Sequence, residues 1–129
     1  MTYSADQKDA LERLFPGSTA FCHYHAEYSD HLVENTINGV LFLMAWWSAP
    51  AIDRFKLLCD VFGQRLAAAH LRFYVVDVDG LISRTPFARG ERIGGYGEIF
   101  WIKDGRVVGS MGADWSAERF EKNMALLAR

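Results

Sequence analysis

Apolar residues near the N-terminus recur at spacings of three and four, which predicts a first helix. Ser4 followed by Gln7 three residues later matches a capping box, so we expect the helix to begin at Ser4. Pro16-Gly17 ends it. The apolar stripe consists of Ala10, Leu11, Leu14 and Phe15.

The following segments alternate between short strands and short helices. Residues 21–26 predict a strand, and Ser29-Asp30 begins a helix that runs to about Ile37, where Asn38-Gly39 closes it. Val40–Trp46 is a continuous apolar run, which is typical of a strand covered by helices on both faces.

A long helix and another strand come next. Ser48 can cap the helix, and Pro50 is tolerated in its first turn because the missing N–H is not needed there. Residues 71–78 are rich in β-branched and aromatic side chains and predict a strand that Asp79-Gly80 closes. The core face of the helix consists of Ile52, Phe55, Leu58, Cys59, Phe62, Leu66 and Ala69.

The last third of the chain predicts a loop, a hairpin and a final helix. Several glycines break regular structure over residues 81–97. Glu98–Ile102 and Arg106–Ser110 predict two strands, and Asp104-Gly105 between them is a two-residue hairpin signal. The final helix follows Asp114-Trp115-Ser116.

The order of these elements defines an α/β fold. A strand, a helix and a strand in the middle of the chain imply a parallel pair joined by a right-handed crossover. The hairpin adds an antiparallel edge, so we expect a mixed central sheet with helices on both sides. A length of 129 residues fits a single domain over residues 1–129.

Composition and charge narrow the class of protein. Half of the residues are apolar and 14% are aromatic, which excludes a disordered chain. A formal net charge of −2 argues against a duplex nucleic-acid binder. The longest apolar run is far shorter than the ~20 residues of a membrane span, and the polar N-terminus shows no targeting segment. We therefore expect a cytoplasmic protein that contacts neither membrane nor nucleic acid.

From about residue 29 to residue 127 the chain resembles the thioredoxin-like family, with residues 1–17 as an added N-terminal helix. The resemblance rests on the buried strand, the Trp-x-x-Pro turn that starts the long helix, and the strand Phe73–Asp79. The hairpin Ile99–Gly109 and its closing helix complete it. The resemblance implies a thioredoxin fold.

Three features of the family's redox centre are replaced in this sequence. The family motif Trp-Cys-Gly-Pro-Cys reads Trp47-Ser48-Ala49-Pro50-Ala51, so both cysteines are missing. The family's buried carboxylate corresponds to Phe42, and its cis-proline corresponds to Gly97. A thiolate at the helix N-terminus performs the exchange and a second cysteine resolves the intermediate. The resemblance therefore implies that this turn no longer exchanges disulfides and has no catalytic residue.

The same turn is where the resemblance places a protein-docking surface. Strand alternation predicts that one of Trp46 and Trp47 points inward and the other outward. Our hypothesis is a redox-inactive protein that binds another protein, of the chaperone, assembly or immunity type, without a cofactor. The partner's identity is left open. The docking residues are Trp47, Ser48, Ala49, Pro50, Tyr96 and Gly97, with Arg89 and Arg92 at the rim.

The alternative hypothesis is a residual thiol–disulfide oxidoreductase or a monothiol protein that uses Cys22 or Cys59. We interpret both cysteines as packing residues, because Cys59 lies on the apolar stripe and Cys22 lies in a strand. We expect no disulfide between them in a cytoplasmic chain.

Two further patterns could hold a metal. His23 and His25 share one face of a strand, with His31 close in sequence, and Asp77-x-Asp79 ends another strand. We interpret the histidines as polar surface residues, Asp79-Gly80 as a turn, and Asp77 as a buried polar residue. We therefore predict no metal site.

Overall fold

The computed structural model describes residues 3–69, 71–80 and 93–127. Five strands form one mixed sheet in the order β1-β3-β2-β4-β5. The strands are β1 (Cys22–His25), β2 (Asn38–Met44), β3 (Arg72–Asp77), β4 (Ile99–Lys103) and β5 (Arg106–Met111). The helices are α1 (Tyr3–Leu14), α2 (Asp30–Glu34), α3 (Ala49–Ala69) and α4 (Ala117–Leu127), with short 3-10 turns at Ser18–Ala20 and Val78–Gly80. The predicted α/β architecture is confirmed.

Strand β2 lies at the centre of the sheet, and this position explains its apolar sequence. It pairs in parallel with β3 and antiparallel with β4, so Phe42 lies between Val75 and Ile99. Alternate residues of β2 enter two cores on opposite faces of the sheet. Phe42 belongs to the larger core, together with Trp101 and Phe55, whereas Leu41 belongs to the smaller core. A strand with both faces buried carries apolar side chains at every position.

Serine side chains begin three of the helices. Ser29 accepts a hydrogen bond from the N–H of His31 at 3.3 Å, and Ser116 accepts one from the N–H of Arg119 at 3.1 Å. Ser48 caps α3 as predicted, as described with the site below. Each cap satisfies a backbone N–H that the first turn of a helix leaves without a partner.

The predicted hairpin turn is also confirmed. Asp104 and Gly105 both have positive φ, at 51° and 78°. Two successive residues of this kind form the type I′ turn that matches the twist of paired strands. The turn also contacts the start of β2, because Asp104 N donates to Ile37 O at 2.8 Å.

Two predicted helix boundaries are wrong. The first helix begins at Tyr3, so Ser4 lies within it, and Gln7 donates to Asp77 Oδ2 at 3.3 Å instead. The second helix ends at Glu34, and Asn38-Gly39 opens β2 rather than closing that helix. Strand pairing overrides the local turn signal there. A side chain at Gly39 would lie 2.7 Å from Thr36 and 3.0 Å from a backbone carbonyl of β3.

In the part of the chain that the structure describes, no helix is both long and apolar enough to span a membrane.

Candidate functional site

The candidate site begins at the turn between β2 and α3, where the chain leaves the buried sheet. Ser48 N donates to Ala45 O at 3.0 Å, and Ala51 N donates to Ser48 Oγ at 3.4 Å. Ser48 is only 7% exposed. Its hydroxyl therefore caps α3 and shapes the turn, and it offers little surface to a partner.

The two tryptophans before Ser48 point in different directions, as predicted. Trp46 is partly buried against the larger core, with its ring centroid 6.3 Å from that of Tyr24. Trp47 is 65% exposed. The turn thus places one indole in the protein and presents the next one to solvent.

Three of the positions that differ from the thioredoxin-like pattern, Phe42, Ala51 and Gly97, meet at one point. A Cβ built on Gly97 would lie 3.2 Å from the Ala51 Cα and 3.2 Å from the Phe42 ring. Phe42, Ala51 and Gly97 are all buried. The contact they form contains a ring, a methyl group and backbone, and no sulfur or carboxylate. Neither a thiolate nor a proton acceptor is supplied by these three residues.

A glycine-rich segment lies beside the turn and carries a second exposed aromatic ring. Gly95 has a φ of +79°, and a Cβ on it would overlap the Trp47 ring. The indole therefore lies directly on the backbone at Gly95, where only glycine leaves room for it. Tyr96 is 45% exposed. We call the surface formed by Trp47, Ala49, Pro50 and Tyr96 the aromatic face; Gly97 is buried beneath it.

Glu98 holds the glycine-rich segment in place, a role that the sequence did not predict. Its carboxylate is fully buried, and Oε2 accepts hydrogen bonds from the N–H groups of Gly94 at 2.8 Å and Tyr96 at 3.4 Å. A buried carboxylate that accepts backbone N–H groups fixes the loop that carries them. The only sign of this role in the sequence is that an acidic residue lies between a glycine run and an apolar strand.

Arg54, one turn into α3, links the site to the far end of the hairpin. Its guanidinium donates to Gly112 O at 2.7 Å and to Ala113 O at 3.1 Å. Burial lowers the pKa of Arg54, while the charges of Glu98 and Asp114 raise it. These two bonds hold α3 against the segment after β5.

Both cysteines lie inside the larger core. Cys22 is 6% exposed and Cys59 is 1% exposed. Interaction with the Cys59 side chain, together with burial, raises the pKa of the Cys22 thiol. The prediction that both are packing residues agrees with this placement.

The predicted histidine group is divided between two elements. His23 and His25 lie on β1 and flank the ring of Tyr74 on β3, at centroid distances of 5.9 and 5.6 Å. Burial lowers the pKa of both imidazoles. His31 lies on α2, where Nδ1 is 3.4 Å from the Glu34 carboxylate. Within residues 3–69, 71–80 and 93–127, no three histidine, cysteine or acidic side chains form a metal-binding group.

Asp77 is a buried polar residue, as predicted. Its Oδ1 accepts the N–H of Asp79 at 2.9 Å, and its Oδ2 accepts hydrogen bonds from Tyr24 Oη and Gln7 Nε2, each at 3.3 Å. The carboxylate is therefore occupied in joining the N-terminal helix, β1 and the end of β3.

The predicted basic rim cannot be compared with the structure. Arg89 and Arg92 lie outside the described residues, as does Arg84.

Comparison with solved structures identifies the class of fold. Thioredoxin O1 from Arabidopsis thaliana in its oxidised state has 16% identity and a TM-score of 0.60, and the match covers 84% of this chain and 98% of that one. Reduced desulfothioredoxin from Desulfovibrio vulgaris Hildenborough has 16% identity and a TM-score of 0.60, over 83% and 97%. Thioredoxin from Schistosoma mansoni has 25% identity and a TM-score of 0.56, over 85% and 98%.

The chain is therefore a thioredoxin-fold protein, and the resemblance stated from the sequence is confirmed at the level of the fold. No family model and no curated protein matches the sequence.

Proposed function

We propose that this thioredoxin-fold protein acts by binding another protein through the aromatic face and does not exchange disulfides at that face. The observation that supports the proposal best is the contact among Phe42, Ala51 and Gly97. It fills, with apolar groups, the place where the resemblance puts the second cysteine, a carboxylate and a proline. The scaffold is kept while the atoms that exchange electrons are absent from this turn.

The composition of the aromatic face supports the binding half of the proposal. Trp47 and Tyr96 are large, exposed and held by backbone contacts, so they lose little conformational entropy when a partner covers them. Tryptophan and tyrosine are among the residues that contribute most to protein–protein affinity. The partner is a folding client, a subunit of an assembly, or a toxin that a small immunity-type protein neutralises.

A capture experiment tests the binding half. The tagged unaltered protein should capture a specific partner from native cells. The tagged Trp47→Ala variant should bind that partner more weakly than the unaltered protein by more than ~2 kcal/mol, roughly 30-fold. Ile37→Ala is the matched control, because Ile37 is 73% exposed and lies just before β2, at the end of that strand opposite the turn. Equal capture by the two variants would exclude the aromatic face as the binding surface.

An insulin-reduction assay with dithiothreitol tests the other half. We expect no rate above that of dithiothreitol alone, and slow alkylation of both cysteines in the native protein, since both thiols are buried and the pKa of Cys22 is raised. Turnover that disappears in Cys22→Ala or Cys59→Ala would instead establish the alternative, an oxidoreductase that uses those thiols.

A further inference from the structure

A pocket with a volume of about 320 Å³ lies at one edge of the sheet, between α1 and β1. β1 is the outermost strand on this side, and all four of its residues, Cys22–His25, line the pocket. Successive side chains of a strand point to opposite faces, so one cavity meets all four only where it follows the open edge of the strand. Lys8 and Leu11, three residues apart on α1, and Thr19 complete the wall.

The wall of this pocket combines basic side chains with a buried apolar part. Lys8 is exposed, and His23 and His25 lie on the same face of β1, on either side of the Tyr74 ring. The wall contains no carboxylate. The apolar part consists of Leu11, Cys22 and Tyr24, which are all buried. An ammonium group and two imidazoles beside apolar surface suit a ligand with a negatively charged head and an apolar body.

The charges near the two imidazoles come from α1, β1 and β3. Burial lowers the pKa of His23, and the positive charges of Arg72 and Lys8 lower it further. Burial also lowers the pKa of His25, with smaller effects from His23 and Lys8. Positive groups therefore crowd this edge, and an anion among them would be attracted by all of them.

Glu12 is an acidic side chain of α1 that reaches the wall residue Thr19. Its carboxylate accepts hydrogen bonds from Gly17 N at 2.6 Å, from Thr19 N at 3.1 Å and from Thr19 Oγ1 at 2.7 Å. Glu27, two residues beyond His25, is exposed. The Glu12 carboxylate is thus already bonded to three donors of the turn after α1, and Lys8, His23 and His25 remain for a ligand.

We propose that the pocket between α1 and β1 binds a small organic anion, whose oxyanion head lies against Lys8 and the imidazoles of His23 and His25. The apolar body of the anion lies against the buried wall around Leu11. The ammonium and the imidazole N–H groups donate to the oxyanion, and hydrogen bonds with a charged partner are the stronger ones. The volume of the pocket lies at the lower end of the range for small-molecule sites, so the ligand is about the size of one substituted ring.

This site goes beyond the proposed function, because none of the residues that line it belongs to the aromatic face. Its affinity should depend on pH. The pKa of both imidazoles lies below 6.5, so both are neutral above neutral pH and gain a proton as the pH falls. A protonated imidazole attracts an anion more strongly than a neutral one, so binding should tighten in mild acid. By linkage, the bound anion should raise the pKa of His23 and His25.

An NMR titration of the imidazole C–H signals of the native protein with benzenesulfonate tests the proposal. The charge of this probe stays constant over the range in which imidazoles titrate, so any effect of pH on binding comes from the protein. We expect the signals of His23 and His25 to shift, their pKa to rise, and affinity to be at least about threefold higher near pH 5.5 than near pH 7.5. His31, which lies beside Glu34 on α2, is the internal control and should not respond.

Benzenesulfonamide, which keeps the ring and lacks the charge, separates anion binding from apolar binding. It should bind at least about threefold more weakly than benzenesulfonate near pH 5.5. Phenyl phosphate should shift the same two histidines, because its head group is also an oxyanion. Equal binding of the neutral and charged rings, an equal response of His31, or no shift of His23 and His25 with either anion would each overturn the proposal.

Two lysine variants test whether the site lies in this pocket. Lys8→Gln should weaken benzenesulfonate binding by about threefold at either pH, since it removes the one permanent positive charge of the wall. Lys56→Gln is the matched control, because Lys56 is exposed on α3 and lies outside the pocket, and it should leave binding unchanged. Equal weakening by the two variants would show a general effect of net charge and would overturn the site.

Replacing both histidines (H23Q/H25Q) should abolish the pH dependence while leaving the weaker binding that Lys8 supports. A pH dependence that survives in this variant would contradict the role given to the imidazoles. The titration of the unaltered protein decides the main claim even where this variant folds poorly.

Discussion

Replacing Ser48 and Ala51 together with cysteine (S48C/A51C) should return weak thiol–disulfide exchange to the turn. Both positions lie at the start of the 21-residue helix α3, three residues apart. The Ala51 N–H already donates to the Ser48 side chain at 3.4 Å, so a sulfur at position 48 would face the same donor. The perturbation adds two sulfur atoms and leaves the rest of the turn as it is.

The helix N-terminus sets the size of the effect. It stabilises an anion by about 0.3–1 kcal/mol, and by up to about 2 kcal/mol where the site is partly buried. Since 1.36 kcal/mol corresponds to a tenfold change in ionisation, the pKa of the introduced thiol should fall below about 8.5 by roughly one. The thiolate fraction at pH 7 then rises from about 3% to roughly a quarter.

The buried half of the site limits the rate. Ala51 is fully buried, and its neighbours Phe42 and Gly97 supply no group that accepts a proton from a thiol at position 51. We therefore expect reduction of insulin above the dithiothreitol background, with the second, resolving step slow. The single variant S48C should form mixed disulfides that do not resolve.

Mass spectrometry and the insulin assay decide between outcomes. The double variant should lose two thiols on mild oxidation in addition to any lost by the parent, and it should show turnover that S48C lacks. Failure of the new pair to close a disulfide would refute the geometry given for the turn. Equal turnover by S48C and the double variant would refute the assigned roles of the two positions.

Three further predictions concern stability, and urea unfolding measures each of them. Gly105→Ala should lower the free energy of unfolding by at least about 1–2 kcal/mol more than Gly17→Ala does. Both glycines have positive φ, but of the two only Gly105 would bring a Cβ against a carbonyl, that of Glu34 at 2.8 Å. Equal losses of stability would contradict the steric part of this reasoning. Glu98→Ala should cost about 1–3 kcal/mol by leaving two backbone N–H groups without their acceptor, and Glu98→Gln should cost less because an amide oxygen still accepts; the reverse order would refute the bond assignment. Hydrogen bonds, of which that from the Gly17 N–H is the most important, lower the pKa of Glu12 below 4.5 in the folded state. The unfolded state therefore binds more protons in acid. The stability that Glu12 contributes is present above pH 4.5 and is lost as pH falls through the folded pKa. Glu12→Gln should flatten that acid limb, and an unchanged pH profile would contradict it.

Much of the fold could be predicted because its signals are local. The apolar run of β2 indicates a strand buried on both faces, and the sheet order places it in the centre. Asp104-Gly105 forms the expected turn because few residue pairs adopt two positive φ values in succession. Asn38-Gly39 has an equally clear turn signal, yet it forms the start of a strand, because the close approach to β3 requires a glycine there. Residue preference alone does not distinguish these two uses of glycine.

The site was predicted less completely, because its contacts join segments that are distant in the chain. The resemblance pointed to Trp47 and Tyr96, which the structure leaves exposed on one surface. Nothing local indicates that Glu98 accepts from the loop before it, or that Cys22 and Cys59, with 36 residues between them, belong to the same core. Such pairs depend on how strands and helices are packed, and a single sequence does not record that packing.

Three of the replaced positions, Phe42, Ala51 and Gly97, are fitted to one another, so the difference from the family's redox centre lies in the packing as well as in the missing sulfurs. Gly97 has a φ of +80°, whereas proline holds φ near about −65°, so the backbone at this position is incompatible with proline. Any side chain at Gly97 would press on Ala51, on the Phe42 ring and on Arg54, all within 3.2 Å of its Cβ. Phe42 is in turn packed in the centre of the larger core, where a carboxylate would be buried among apolar groups without a partner. Restoring a dithiol therefore changes two atoms, while restoring the rest of the centre requires the segment before β4 and the core behind it to repack together. This packing, with Trp47 and Tyr96 exposed beside it and no thiol or carboxylate among Phe42, Ala51 and Gly97, supports the proposed binding role.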